Sequence, residues 1–178
     1  MGRLDDRAVA VTGAAQGGGA AIDQRFLAED ARLSIIDEPE QMTGLAPRPE
    51  VRNFVADLSA PGAGEVAARA ALDACGRVDT LVNNAGTGGS KSLVESDDAL
   101  NDRFIDTNRR SVLHVTRAIP PRLSRPGGRI INIHLTLSLA GYSGTTAWGF
   151  TCQMAADLGP EGVPVNTIVS GVTGEADD

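Results

Sequence analysis

The fold is decided by residues 8–37, which read AVAVTGAAQGGGAAIDQRFLAEDARLSIID. Ala8 to Thr12 has the composition of a short buried strand, and Ala20 to Asp30 carries apolar residues at helical spacing. Arg32 to Asp37 has the composition of a second strand. The glycine-rich turn therefore joins a strand to a helix that leads into another strand. This order predicts a βαβ unit, in which a crossover helix joins two parallel strands.

The turn of residues 13–19 has the glycine spacing of an anion site at a helix N-terminus. Gly13 permits the tight turn, Gly17 lets the backbone approach a pyrophosphate, and Gly19 lets the helix pack against the strand. Gln16 completes the loop, where free N–H groups and the helix dipole favour a negative ligand. Asp37, eighteen residues beyond Gly19, is placed to hydrogen-bond ribose hydroxyls and to repel a 2′-phosphate. The sequence therefore predicts a dinucleotide site that prefers NAD to NADP.

Strands and helices continue to alternate along the rest of the chain. Between Glu38 and Glu50, three prolines and one glycine leave little room for a full crossover helix. Further strands are predicted at Val51–Val55, Thr80–Val82, Arg129–Ile133 and Val163–Val169, and helices at Glu65–Ala74, at Asp97–Leu123 and ending near Leu158. With no hairpin signal, repeat or linker, the sequence predicts one Rossmann-like α/β domain over residues 1–178, with a doubly wound parallel sheet of about six strands.

The overall composition argues against several classes of partner. The formal net charge of −7 argues against nucleic acid, because phosphate binding needs a basic surface. No apolar run has the length of a membrane span, and no signal peptide is visible. The two cysteines, Cys75 and Cys152, give neither a disulfide framework nor the spacing of a zinc site. We therefore expect a cytoplasmic protein with no membrane, nucleic-acid or metal partner.

Several further motifs occur in order along the chain: Asp57-Leu58, VDTLVNNAG at 78–86, Asn108 within DTNRRSVLHVTRAIP, GGRIINI at 127–133, and GFTCQMAADLGPEGVPVNTIVSG at 149–171. Together with TGAAQGGG they resemble the short-chain dehydrogenase/reductase family over nearly the whole chain. The resemblance implies that the three turn glycines hold the pyrophosphate, that Asp57 and Leu58 flank the adenine, and that Asn84 and Gly86 line the cofactor. Gly18 departs from the family, which usually has an apolar residue there.

The resemblance also implies a catalytic Ser, a Tyr, a Lys four residues after the Tyr, and a helical Asn that completes a proton relay. Asn108 matches the relay Asn. Between Ile133 and Gly149 the chain reads HLTLSLAGYSGTTAW, several residues shorter than the family pattern, so the alignment of the other three positions stays open. Ser138 or Leu135 takes the serine position, and the Tyr and Lys positions fall at Tyr142 and Thr146, at Ala140 and Gly144, or at Trp148 and Cys152.

No alignment supplies the lysine, because the only lysine of the chain is Lys91, in the loop after Gly86. A phenol ordinarily has a pKa of about 10, so without a neighbouring ammonium Tyr142 is a poor base at neutral pH. We therefore expect an NAD(H)-binding protein whose hydride transfer to or from an alcohol or carbonyl substrate is weak or lost.

Two other functions stay open. An atypical but active oxidoreductase would use Tyr142, Ser138 and Asn108, with water in place of the ammonium. A non-catalytic partner or regulatory subunit would present its edge strand and long helix to a full-length homologue. A pair of His134 and Cys152 is a weaker candidate, because a small thiol in an Ala-rich helix is commonly structural.

The C-terminal region is the second departure from the family pattern. Residues 173–178 directly follow the sixth predicted strand, whereas family members continue into a substrate-covering segment and a seventh strand. The resemblance therefore implies a C-terminally shortened sheet whose sixth strand lies at an edge. Because an exposed edge can pair with another chain, a homo-oligomer is a further possibility, and the sequence alone gives no substrate beyond the alcohol or carbonyl class.

Overall fold

The centre of the structure is a sheet of six parallel strands in the order β3-β2-β1-β4-β5-β6. The structure is a computed structural model and describes residues 2–43, 45, 48–88, 94–135 and 145–171. The predicted Rossmann-like doubly wound sheet is therefore confirmed. The strands are β1 Ala8–Thr12, β2 Arg32–Asp37, β3 Val51–Val55, β4 Thr80–Asn83, β5 Arg129–Leu135 and β6 Val165–Ser170. The strand order reverses beside β1, and ligands bind at the carboxyl edge of such sheets at the point of reversal.

Helices connect the strands and cover both faces of the sheet. They are α1 Gly17–Leu27, α2 Pro39–Met42, α3 Ala63–Cys75, α4 Asp98–Ile105, α5 Ser111–Ala118 and α6 Thr145–Leu158. The four-residue α2 agrees with the weak helical signal between β2 and β3. In contrast, α1 begins and ends three residues earlier than predicted. The early end follows from Asp30, which adopts a φ of +64° and turns the chain into β2. No glycine marks that turn in the sequence.

The long helix predicted at Asp97–Leu123 is interrupted. It begins as expected, with the Asp97 carboxylate capping the N–H of Leu100 at 2.8 Å. Between α4 and α5, residues Asp106–Arg110 form a π-helical turn, in which each hydrogen bond spans one residue more than in an α-helix. After α5, Pro120–Arg122 form a 3₁₀ turn. The prolines therefore end the α-helix near the predicted position, but the π turn carries no comparable signal.

Small side chains let the helices approach the sheet and one another closely. On one face, Ile22 and Phe26 of α1 pack against a cluster that includes Val11 and Ile35. On the other face, α3, α5 and α6 share a core cluster with the inner strands. A Cβ at Gly64 of α3 would collide with the backbone carbonyl of His114 in α5, so glycine permits that contact. Packing on both faces holds the strands in place, and the candidate site lies at their carboxyl ends.

Candidate dinucleotide-binding site

The glycine turn leads from β1 into α1, and the first amides of the helix have no intrahelical acceptor. Gly13 has a φ of +64° and Gly17 a φ of +55°, conformations that glycine adopts without a steric cost. The first intrahelical N–H bond of α1 is that of Ala20 to Gln16, at 3.1 Å, so the amides of residues 17–19 have no helical acceptor. Around Gly17 and Gly18, no atom of the described residues lies within 4 Å of an added Cβ. The turn therefore combines amides that the helix leaves unpaired with room beside Gly17 and Gly18 among the described residues.

Gly19 lies at the packed side of the same turn. A Cβ there would collide with the Gly13 carbonyl and would lie 2.5 Å from Asn84 Nδ2 and 2.9 Å from Ala14 Cα. Asn84 donates from Nδ2 to the carbonyls of Gly13 at 2.7 Å and Thr12 at 3.2 Å. The end of β4 is thus bonded to the turn that follows β1, and Gly19 is the residue that makes room for this contact.

Thr12 is a residue of the site that the sequence interpretation missed. Its side chain is buried, and Oγ1 accepts the backbone N–H groups of Asn84 and Ala85, both at 3.1 Å. The signal for it was a hydroxyl at the end of an otherwise apolar strand, directly before the turn. The hydroxyl replaces the hydrogen bonds that β1 and β4 lose where their pairing stops.

Asp37 lies at the carboxyl end of β2 and supports the turn from the other side. Its Oδ2 accepts the N–H of Ala15 at 2.9 Å and its Oδ1 that of Glu38 at 2.8 Å, and the residue is 9% exposed. Each carboxylate oxygen has a second lone pair. Asp37 can therefore hold the turn and still accept hydroxyl groups of a ribose.

Asp57 and Leu58, after β3, have different environments. Asp57 is exposed, and hydrogen bonds from the hydroxyl and N–H of Ser59, at 2.6 Å and 2.9 Å, hold the pKa of its carboxyl below the ordinary value. The Leu58 side chain is buried in the core, and its carbonyl lies 3.3 Å from Nδ1 of His114. Their placement beside an adenine stays a prediction.

Asn108 lies in the π turn and is bonded to the loop after β4. Its Oδ1 accepts the N–H of Thr87 at 2.7 Å, and its Nδ2 donates to the Thr87 carbonyl at 2.9 Å. Oδ1 also lies 3.3 Å from the position of a Cβ on Gly86. The structure therefore brings Asn108 and Gly86 together in the segment that follows β4 and Asn84, and the roles of these residues toward a cofactor or substrate stay predictions.

A chain of buried polar side chains lies beneath this cluster. Asn83 Nδ2 donates to Thr116 Oγ1 at 3.0 Å and to Asn132 Oδ1 at 2.9 Å. Asn132 in turn donates to Thr151 Oγ1 at 2.9 Å. The chain links α5, β4, β5 and α6. Its signal in the sequence was a single asparagine within the otherwise apolar strand around Asn132, and paired polar groups of this kind specify one arrangement of a core.

The catalytic candidates of the loop after β5 lie outside the described residues. They are Ser138 and Tyr142, and Lys91 also lies outside. The described helix α6 begins at Thr145. Cys152 of α6 is exposed, and Nε2 of His134 has no hydrogen-bond partner in the part of the chain that the structure covers. The proposed His134–Cys152 pair is therefore not formed through that nitrogen.

The described residues contain neither a candidate metal site nor a candidate membrane span. No group of three or more His, Cys, Asp or Glu side chains there is placed to hold a metal ion. No helix in those ranges combines the length and apolar character needed to cross a membrane. What the site does offer is a donor-rich turn, a carboxylate at the end of β2 and amide side chains at the end of β4. This set fits a dinucleotide: Gly13, Gln16, Gly17 and Gly19 are the residues that could hold its phosphates, and Asp37 is the residue that could bind a ribose.

Comparison with known proteins agrees with this fit. The short-chain reductase protein NovJ of Streptomyces niveus is 33% identical over 176 residues, which cover 90% of this chain and 67% of NovJ. The oxidoreductase UcpA of Escherichia coli K12 is 32% identical over 186 residues, which cover 96% of this chain and 71% of UcpA.

Two solved structures are also similar. A short-chain dehydrogenase from Burkholderia cenocepacia J2315 in complex with NADP superposes with a TM-score of 0.83 at 30% identity, over 94% of this chain and 74% of that one. The 3-ketoacyl-(acyl-carrier-protein) reductase of Brucella melitensis complexed with NADH gives a TM-score of 0.85 at 25% identity, over 94% and 76%. The family profile for short chain dehydrogenases matches residues 7–177. The chain therefore belongs to the short-chain dehydrogenase/reductase family.

Proposed function

We propose that this protein binds NAD(H) at the carboxyl edge of its sheet and transfers hydride weakly or not at all. The observation that carries the cofactor part is the buried carboxylate of Asp37, bonded to the N–H of Ala15 in the glycine turn at 2.9 Å. The observation that carries the catalytic part is the absence of any lysine except Lys91 from the sequence.

The preference for NAD follows from the fixed position of Asp37. Two backbone N–H groups hold its carboxylate at the end of β2, so it cannot turn away from a ligand without losing both bonds. A 2′-phosphate would place a second negative charge close to it, and like charges at short distance repel. Neutral ribose hydroxyls would instead donate to its remaining lone pairs. Solved relatives are complexed with NADP in one case and NADH in another, so the family alone does not decide between the two.

Titration of the protein with NADH and NADPH tests the cofactor part. Binding can be followed by fluorescence of Trp148, the only tryptophan, and checked by calorimetry. We expect tighter binding of NADH, and loss of that preference in Asp37→Asn. Asp73→Asn, on the exposed side of α3, is the matched control because it removes the same charge from a distant site. Equal affinities for both dinucleotides, or an unchanged ratio in Asp37→Asn, would contradict the proposal.

The low activity that we propose follows from the proton-transfer step, which lacks a lysine. A bound dinucleotide supplies a nicotinamide that carries or accepts hydride, and the protein must move the matching proton. Tyr142 is the only tyrosine and has no lysine after it, so no ammonium stabilises a phenolate. Thr146 stands four residues after Tyr142. A threonine hydroxyl carries no charge and cannot replace that stabilisation.

A panel of secondary alcohols and ketones, assayed by NADH absorbance, tests the catalytic part. We expect rates no higher than those of a Tyr142→Phe variant. Thr146→Lys is the informative gain-of-function variant, since it restores a lysine at the family spacing in the Tyr142 alignment. Clear turnover of the unmodified protein that Tyr142→Phe abolishes would establish the alternative, an active oxidoreductase that uses Tyr142, Ser138 and Asn108.

A second candidate function, as a homo-oligomer or a partner subunit, is favoured by the surface beside β6. This strand lies at the edge of the described sheet, with Ile168 54% and Trp148 53% exposed. A groove of about 290 Å³ runs between the strand and α6. It is lined by Trp148, Thr151, Cys152, Ala155, Val165, Asn166 and Thr167. Sedimentation velocity, alone and with a full-length homologue, tests this function, and Ile168→Asp should abolish any complex formed through this edge.

We also propose a cytoplasmic location, supported by the free thiols of Cys75 and Cys152, which a reducing compartment preserves. Fractionation of cells that express the protein at its natural level tests this proposal. Recovery outside the cytoplasmic fraction would contradict it.

A further inference from the structure

The candidate for a further role is His134, near the end of β5. Alternate residues of this strand point to opposite faces of the sheet. Ile131 and Ile133 pack with the α1 cluster, whereas Ile130 belongs to the cluster on the α3, α5 and α6 side. Asn132 bonds Thr151 of α6 on that same side. By this alternation the imidazole of His134 lies on the face that also carries Asn108.

The position of His134 along β5 places it close to the carboxyl edge of the sheet. His134 is two residues beyond Asn132, or about 6.6 Å nearer the carboxyl edge. On the facing helix, Asn108 precedes Thr116 by eight residues, which corresponds to about 12 Å in the same direction. Since Thr116 and Asn132 both bond Asn83, they define a common level. His134 therefore lies between that level and the level of Asn108, on the β4–β5 side of the sheet, opposite the end at Asp37.

The imidazole has an unused hydrogen-bonding atom. Nε2 of His134 is buried and has no partner among the described residues, a condition that structures normally avoid. Burial lowers the pKa of this histidine below its ordinary value, so the ring is neutral at pH 7. Its surroundings hold few charges: in the described parts of β4, β6 and α6 the only charged residue is Asp157, near the far end of α6.

The π turn also carries charged residues on this face. Arg110 is paired with Asp106, and Arg109 lies over the ring of Phe150 at 5.4 Å. None of these contacts uses the imidazole of His134. A neutral imidazole in such a place can donate or accept one hydrogen bond through Nε2, and a polar atom of a ligand is the partner that the position lacks.

We infer that His134 lines the nicotinamide end of the dinucleotide site and that its Nε2 binds the oxygen atom of a small alcohol or carbonyl ligand. This inference rests on the proposed function, because it requires the dinucleotide to lie with its adenosine at Asp37. The dinucleotide then extends past β1 and β4 toward β5, as the strand order directs. His134 in this role binds and orients the oxygen, and this binding does not depend on hydride transfer.

Nuclear magnetic resonance of the two histidines, labelled with ¹⁵N, tests the placement in the full-length chain. NAD⁺ and NADH differ by a positive charge on the nicotinamide ring, so a nearby imidazole must titrate at lower pH in the NAD⁺ complex. We expect this difference for His134 and none for His114, whose Nδ1 lies beside the Leu58 carbonyl. Binding of ADP-ribose, which lacks the nicotinamide ring, should leave the titration of both histidines unchanged. Equal titration of His134 in the NAD⁺ and NADH complexes would overturn the inference.

A second measurement tests the oxygen contact. Adding 2,2,2-trifluoroethanol to the NAD⁺ complex should shift the Nε2 resonance of His134 but not the resonances of His114. His134→Asn should weaken that alcohol's affinity for the NAD⁺ complex by about tenfold, the value of one hydrogen bond. An unshifted resonance overturns the inference. Failure of NAD⁺, NADH and ADP-ribose to bind at all overturns the proposed function instead and is seen separately by calorimetry.

Discussion

Replacement of Gly19 by alanine should disrupt the site far more than the same change at the neighbouring Gly18. The added Cβ would meet the Gly13 carbonyl, Asn84 Nδ2 at 2.5 Å and Ala14 Cα at 2.9 Å. Two of these three neighbours are backbone atoms of the turn itself, which cannot move without changing the turn. The third belongs to the side chain that bonds the turn to β4. The methyl group must therefore open the junction between β1, α1 and β4.

The expected cost follows from these contacts. Overpacking against a close-packed neighbour costs about 1–3 kcal/mol, and losing the hydrogen bond from Asn84 to Gly13 adds about 0.5–1.5 kcal/mol. The higher helix propensity of alanine returns up to about 1 kcal/mol. We expect Gly19→Ala to lower the free energy of unfolding by about 1–4 kcal/mol, which corresponds to a melting temperature lower by roughly 2–4 °C for each kcal/mol in a chain of this size.

Gly18→Ala is the matched control, one residue away in the same helical turn. No atom of the described residues lies within 4 Å of its added Cβ, and its φ is not in the left-handed region. The same methyl group should therefore raise the free energy of unfolding by up to about 1 kcal/mol. Urea unfolding followed by circular dichroism gives both values, and NADH titration shows whether the affinity falls only in Gly19→Ala. Equal stability and equal affinity of the two variants would refute the argument from packing.

Three further predictions concern polar groups that the structure buries or bonds. Burial raises the pKa of the Asp79 carboxyl, but hydrogen bonds to it outweigh burial and hold the pKa below its ordinary value. The stability that this carboxylate contributes is present above about pH 4 and is lost as the pH falls below that value. Urea midpoints from pH 7 to pH 3 should fall more steeply for the unmodified protein than for Asp79→Asn. Burial raises the pKa of Asp23 despite its ion pair with Arg48. Arg48→Met should therefore destabilise the protein by about 3 kcal/mol at pH 7, and by less as the pH falls and Asp23 gains a proton. Asn108→Ala removes two hydrogen bonds to Thr87, so unfolding should cost about 1–2 kcal/mol less, and hydrogen exchange at the Thr87 amide should become faster.

Each of these has its own control. The stability difference between Asp79→Asn and the unmodified protein should shrink as the pH falls, since protonation of Asp79 removes the same charge that the substitution removes. Adding Asp23→Asn to Arg48→Met should restore most of the stability at pH 7, because no buried charge is left unpaired. Asn108→Asp keeps the acceptor for the Thr87 N–H and should protect that amide better than alanine does. The opposite order in any of these pairs would contradict the contact it tests.

The strands could be predicted from the sequence because their signal is local. β1, β2 and β3 have the predicted limits, as each is a short apolar or β-branched run bounded by turn residues. The glycine turn after β1 and the place of Asp37 at the end of β2 could be predicted from the sequence, because the required φ values and the charge are properties of single residues. Helix limits were less accurate, since the stop after α1 depends on Asp30 and not on a glycine or proline.

The contacts that hold the site together could not be predicted in the same way. Thr12 and Asn132 act through partners about seventy and about fifty residues away in the chain, and no periodicity records such pairs. The π turn at Asp106–Arg110 likewise has no glycine or proline that would mark an interruption of the helix. The alignment of Ser138 and Tyr142 stays open, because these residues lie outside the described ranges.

The π turn also determines how the helix between β4 and β5 can change in length. Its wider hydrogen-bond loop accommodates one residue more than an α-helical turn. Deleting one residue from Asp106–Arg110 would therefore leave an α-helical turn, and α4 and α5 would keep nearly the same rotational phase. A deletion within α5 would instead rotate the residues on its two sides by about 100° relative to each other and take Val112 or Val115 out of the core. The π turn is thus the part of this helix where a change of one residue in length should disturb the core packing least.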